Sequence, residues 1–90
     1  MKTKAKIMIV DDAEMNREIL MVILGDEYEY VQAENGRQAI HILQQDMNID
    51  LMLLDINMPE MNGFQVLDRM NTFHWINDIP VIMISSEEKK

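Results

Sequence analysis

The sequence predicts an open, doubly wound α/β sheet, with parallel strands and helices on both faces. Three observations predict it. Short apolar runs, KIMIV at 6–10 and LMLL at 51–54, suit strands buried on both sides, as in a parallel sheet. Segments of helical length and periodicity separate these runs, the alternation that builds βαβ units. Acids stand where the apolar runs stop, Asp11 and Asp12 after the first and Asp55 after the second. Ligands of such sheets bind beyond the carboxyl ends of the strands, so acids there are placed for chemistry rather than for the core.

Lys6–Val10 is the first expected strand. Ala13–Leu24 follows as a helix, with Met15, Ile19, Val22, Ile23 and Leu24 apolar, Asp11 or Asp12 as a candidate N-cap, and Gly25 where a terminating glycine belongs. Residues 19–24 are apolar without a break, so this helix calls for cover on more than one side. Tyr28–Ala33 alternates and reads as an edge strand; Glu34-Asn35-Gly36 is a turn signal. A helix is expected over Arg37–Gln45, with Ala39, Ile40 and Leu43 inward. Ile49–Leu54 is the central strand, and Met58-Pro59 then holds Met58 out of the helical region before the Asn62-Gly63 turn pair. The third helix is expected over Phe64–Phe73 and a fourth strand over Ile79–Ile84, with Pro80 tolerable near its start.

Ninety residues make one domain at most. At 48% hydrophobic and 27% charged the chain is a globular one, and its ten methionines fall mostly in apolar patterns, as flexible core filler. The lack of cysteine excludes disulfides, thiolate metal sites and cysteine nucleophiles. No apolar run is long enough to span a membrane, and Asp11-Asp12 cut short any signal peptide, which leaves a cytoplasmic location as the expectation. A net charge of −8 argues against direct nucleic-acid binding, which draws on Lys and Arg for counterion release. It suits a bound cation or a protein partner.

In a doubly wound sheet the first and third strands are neighbours at the switch point, so Asp11, Asp12 and Asp55 are expected to converge. Three like charges so close repel one another, and a hard divalent cation resolves the conflict. Mg²⁺ prefers oxygen ligands and commonly takes one or two carboxylates plus a substrate phosphate. The backbone carbonyl of Asn57 offers another oxygen. With a cation holding phosphate oxygens against Asp55, that carboxylate is placed to attack phosphorus and form an aspartyl phosphate. Ser85, at the end of the fourth strand, either contacts a phosphoryl oxygen or caps a following helix with Glu88 in a capping box, and both roles can coexist. Each acid has a plainer reading, Asp11-Asp12 as a helix cap and Asp55-Ile56-Asn57 as a strand-ending turn. Their arrangement at successive strand ends favours a site.

IMIVDD at 7–12, AENGRQAI at 33–40, LMLLDINMPEMNG at 51–63 and PVIMISS at 80–86 together resemble the receiver domain of bacterial two-component response regulators. The resemblance extends over nearly the whole chain in the family's order. It implies a flavodoxin-like fold with strand order 2-1-3-4 and a phosphoryl group received from a histidine kinase, making the chain an acceptor rather than an enzyme. On matched positions it makes Asp55 the phosphoacceptor. Asp11 and Asp12 become the acid pair for Mg²⁺, with Asp12 the direct ligand, the Asn57 carbonyl a further ligand, and Ser85 the switch hydroxyl.

The resemblance stops where a fourth helix would begin. The family's last helix-strand-helix, with its lysine and aromatic switch residue, has no counterpart in residues 1–90, and Lys89 and Lys90 are not that lysine. A receiver truncated in this way keeps its metal-binding acids, while lasting phosphorylation and signalling through the missing face are put in question. An exposed fourth-strand edge and an uncovered first helix lead to an expectation of self-association, through that edge, the first-helix face or an exchanged element. An association module that never takes phosphate is therefore the alternative reading. A metal-dependent phosphatase with an aspartate nucleophile is disfavoured, because its usual second acid, two residues after the nucleophile, is here Asn57. His41 and His74 have no ligand spacing, and Trp75 reads as a partly buried anchor.

Overall fold

The computed structural model describes residues 4–46 and 48–85. Four parallel strands, β1 (Lys6–Val10), β2 (Glu29–Ala33), β3 (Leu51–Asp55) and β4 (Val81–Ile84), form one sheet in the order β2-β1-β3-β4. Three helices, α1 (Glu14–Leu24), α2 (Gly36–Gln45) and α3 (Gly63–Thr72), connect them, and a short 3-10 turn at Trp75–Asn77 precedes β4. This is the doubly wound order expected from the sequence.

Alternation along the strands divides the core into two layers of unequal thickness. Met8, Val10, Met52 and Leu54 point to the side covered by α2 and α3, where Ala39, Ile40, Leu43, Val66 and Met70 complete the larger cluster. Ile7, Ile9 and Leu53 point the other way, under Leu20, Met21 and Leu24 of α1. Whereas α2 and α3 bury several side chains each, α1 buries none completely. Met15, Ile19, Val22 and Ile23 all face outward on it. Four methionines, Met8, Met52, Met58 and Met70, are core residues, in keeping with the filler role.

Local signals explain the helix ends. Asn35 caps α2 by accepting from the Gln38 N–H at 2.7 Å. Asn62 caps α3 in a reciprocal capping box with Gln65. Gly25 ends α1 with φ 94°, a conformation a side chain would strain, and its N–H reaches the Met21 carbonyl at 3.0 Å. The expected capping of α1 by Asp11 or Asp12 is not found. Ala13 holds the N-cap position with no side-chain bond, because the Asp11 carboxylate turns back into its own loop.

Strand limits shift by a residue or two. β4 starts at Val81 rather than Ile79: Pro80 has no N–H to give, and the Ile79 N–H is taken by the Trp75 carbonyl at 3.1 Å. β3 starts at Leu51 and runs through Asp55 itself. Trp75 lies in the 3-10 turn, half-buried and stacked on Phe73 at 4.7 Å between ring centroids. Glu88, Lys89 and Lys90 lie outside the described residues, and with them the Ser85–Glu88 capping box.

Gly63 fits where no other residue does. A Cβ there would sit 2.6 Å from the Asp55 carbonyl oxygen and 2.9 Å from the Ile56 Cα, both backbone atoms. Gly63→Ala is therefore expected to destabilise the fold by about 1–3 kcal/mol, the usual range for overpacking. A lower urea midpoint at unchanged m-value checks this.

Candidate metal and phosphoacceptor site

Strand register builds the site. Val10 of β1 pairs with Leu54 of β3, so the next residues, Asp11 and Asp55, stand side by side at the carboxyl rim of adjacent parallel strands. The alternation that turns Ile9 and Leu53 toward α1 turns Asp11 and Asp55 to that side as well, two residues further on. Asp12 follows in the loop. One carboxylate oxygen from each of Asp11, Asp12 and Asp55 lies within 4.8 Å of the others, with Asp11 and Asp55 only 4% and 2% exposed and Asp12 open to solvent. The convergence expected from the sequence is present.

Backbone and side-chain donors restrain the two buried acids. The Ala13 N–H donates to Asp11 Oδ1 at 2.9 Å, and the Asn57 N–H to Asp55 Oδ1 at 3.2 Å. The Asn16 amide leans on both Asp11 oxygens at 3.4 and 3.5 Å, long contacts that orient more than they bind. The Asp11 peptide is held too. Its N–H reaches the Ala33 carbonyl at 3.1 Å, and its own carbonyl accepts from Arg17 Nη1 at 2.6 Å. Arg17 Nε meanwhile donates to Gln32 Oε1 at 2.9 Å. Neither Asn16 nor Arg17 stands out in the sequence. They lie in the polar first half of α1, between Glu14 and Glu18, and read there as ordinary surface residues.

The other expected site residues lie at the same rim. Asn57 is exposed just past β3. Ser85 is exposed one residue beyond Ile84, which pairs with Asp55. His41 sits on α2 and contacts Gln45, while His74 adopts a left-handed conformation (φ 66°) after α3. The described lysines, Lys4 and Lys6, are at the opposite end of the sheet, where Lys6 pairs with Asp46 at 3.1 Å.

The donor set fits a hard divalent cation. It offers only oxygen, from three carboxylates near enough to share one ion, with room for waters on the Asp12 side.

The family model for the response regulator receiver domain matches residues 7–90. The chain belongs to the response regulator receiver family. This receiver is 32% identical over 82 residues to the two-component response regulator ORR3 of Oryza sativa subsp. indica, covering 90% of this chain and 63% of that protein. It is 41% identical over 81 residues to the response regulator RR06 of Streptococcus pneumoniae serotype 2, covering 89% of this chain and 36% of the other. The chain thus spans less than two thirds of each of these relatives. Among solved structures, the chemotaxis response regulator CheY4 of Vibrio cholerae superposes with a TM-score of 0.84 at 31% identity, over 97% of this chain and 72% of that one. The response regulator TrrA of Thermotoga maritima, solved in complex with Mg²⁺ and BeF, gives 0.79 at 31% identity, over 93% and 71%. No helix among the described residues is long and apolar enough to cross a membrane.

Burial holds the Asp11 carboxyl above its ordinary value of 3.8, reinforced by the charges of Asp55 and Asp12 and opposed by the Ala13 and Asn16 hydrogen bonds. The folded receiver then keeps this proton at pH values where the unfolded chain has released it. The contribution of Asp11 to stability is therefore largest below 3.8 and declines as pH rises through the raised value. In EDTA at neutral pH, Asp11→Asn is expected to melt above the wild type. In excess Mg²⁺, which stabilises only what it binds, the order should reverse. Thermal melts in the two buffers check this crossing.

Proposed function

We propose that this receiver takes a phosphoryl group from a histidine kinase onto Asp55 in a Mg²⁺-dependent transfer. The observation that carries the reading is the meeting of Asp11, Asp12 and Asp55 at the carboxyl rim of β1 and β3. In the transfer an Asp55 carboxylate oxygen forms a bond to phosphorus while the P–N bond of the kinase's phosphohistidine breaks. The electron pair returns to the imidazole nitrogen. Mg²⁺, when bound, neutralises the phosphoryl oxygens and the crowded carboxylates. Asp11, Asp12 and Asp55 would hold the cation, with Asp12 as a direct ligand, and the Asn57 carbonyl would add an oxygen. The Asn57 N–H restrains the attacking carboxylate through Oδ1. Ser85 donates its hydroxyl to a phosphoryl oxygen once the group is in place.

Among the described residues, Lys4 and Lys6 stand at the far end of the strands from this rim. The chain acts as an acceptor whose occupancy is the signal, at home in the cytoplasm beside its kinase, and its acidity keeps it off nucleic acid. Incubation with acetyl phosphate and Mg²⁺, followed by intact mass, should give one phosphoryl adduct. Asp55→Asn and EDTA should each abolish it. An adduct that survives Asp55→Asn would place the acceptor elsewhere.

A second reading, association of two copies with or without phosphate, is favoured by one observation. Met15, Ile19, Val22 and Ile23 are 71%, 49%, 80% and 71% exposed, and their i, i+4, i+7, i+8 spacing makes them a single outward face of α1. The same face of a second copy is the natural cover for it. Light scattering on the 90-residue chain should show a concentration-dependent dimer that Val22→Glu converts to monomer. A monomer at high concentration removes this reading.

A further inference from the structure

We propose that Arg17 is a positioning residue for the acid cluster, acting through the backbone carbonyl of Asp11 and braced by Gln32. The inference rests on the reading that Asp11, Asp12 and Asp55 hold a divalent cation. Arg17 is surrounded in sequence by acids, with Asp11, Asp12, Glu14 and Glu18 all within one or two turns. It nevertheless makes no ion pair with any described acid. Its guanidinium spends its fork on two neutral acceptors instead, the Asp11 carbonyl at 2.6 Å and Gln32 Oε1 at 2.9 Å.

The geometry gives this choice a purpose. The Asp11 peptide lies one step past the last β1–β3 pair, where the sheet no longer supplies a donor for its carbonyl. Ala33 at the end of β2 still holds the Asp11 N–H. Arg17 takes the carbonyl, and because the same guanidinium also grips Gln32 of β2, the peptide is fixed between α1 and the edge strand. A planar guanidinium offers Nε–H and Nη1–H to the two partners in a fixed fork; an ammonium, a point charge on a flexible stem, does not hold that geometry. The carboxylate of Asp11 is left to the Ala13 and Asn16 donors and to the metal. Asp12, the next residue, starts from a fixed peptide and so is aimed at Asp55 without any contact of its own to Arg17.

Simple electrostatics predicts the opposite effect on metal affinity. A positive charge beside a cation site repels the cation, so removing it should tighten binding. A positioning role predicts weaker binding, and the sign separates the two.

The experiment is a titration of the 90-residue chain with Mn²⁺, free ion being read by electron paramagnetic resonance, at a temperature where circular dichroism shows every variant folded. Arg17→Gln should weaken Mn²⁺ binding by roughly three- to tenfold, below the 10–100-fold typical when a ligand's direct hydrogen-bond partner is lost. Arg17→Lys, which keeps the charge but loses the fork, should move in the same direction by less. Gln32→Ala should weaken binding modestly and add little on top of Arg17→Gln, as expected for residues acting as one unit. Amide exchange at Ala13 in the metal-free chain should accelerate in Arg17→Gln. If Arg17→Gln fails to fold, Arg17→Lys and Gln32→Ala carry the test. Unchanged or tighter Mn²⁺ binding in the Arg17 variants, with the wild type binding normally, overturns the positioning role alone. A wild type that binds no Mn²⁺ overturns the cation site and this inference together.

Discussion

Three carboxylates crowd one rim of the sheet, two of them removed from water, and much of the surrounding structure exists to make that tolerable. Burying a charge without compensation is among the most expensive things a fold can do. The compensation is local and specific. Loop amides from Ala13 and Asn57 each point a hydrogen at one buried acid, and the Asn16 side chain attends the Asp11 carboxylate. Burial and the neighbouring acids both disfavour the charged form of Asp11, and the Ala13 and Asn16 hydrogen bonds offset part of that.

The two layers divide the labour. The α2–α3 side supplies most of the fully buried apolar surface, with Gly63 letting α3 start against the backbone of Asp55. The α1 side is thin; Leu20, Met21 and Leu24 pack α1 on the sheet, and Arg17 ties it to the Asp11 carbonyl. Local stability in a protein follows buried apolar contact, so the layer touching the acids is the one best able to respond to what they bind.

Much of this was legible in the sequence, and the reasons are physical. Strand identity follows from continuous apolar runs, and strand order from the alternation of elements. The convergence of Asp11, Asp12 and Asp55 follows from both. The limits of β3 and β4 were less legible, since a buried apolar residue such as Ile49 or Ile79 need not belong to the ladder. An acid before a helix looks like a cap, and only the loop geometry shows Asp11 bonding the Ala13 N–H instead of capping α1. Arg17 and Asn16 were invisible. A polar residue one turn into a helix reads as surface until the strand it reaches is known.

The dependence on register has a consequence for how this chain can change. Side chains along a strand face alternate sides, so deleting or inserting one residue within Lys6–Val10 or Leu51–Leu54 would turn the acid that follows to the opposite layer while leaving the apolar composition intact. In descendants of this sequence, any change of length should therefore be confined to the connections, such as the Asp26–Tyr28 bend between α1 and β2, which lies at the other end of the sheet.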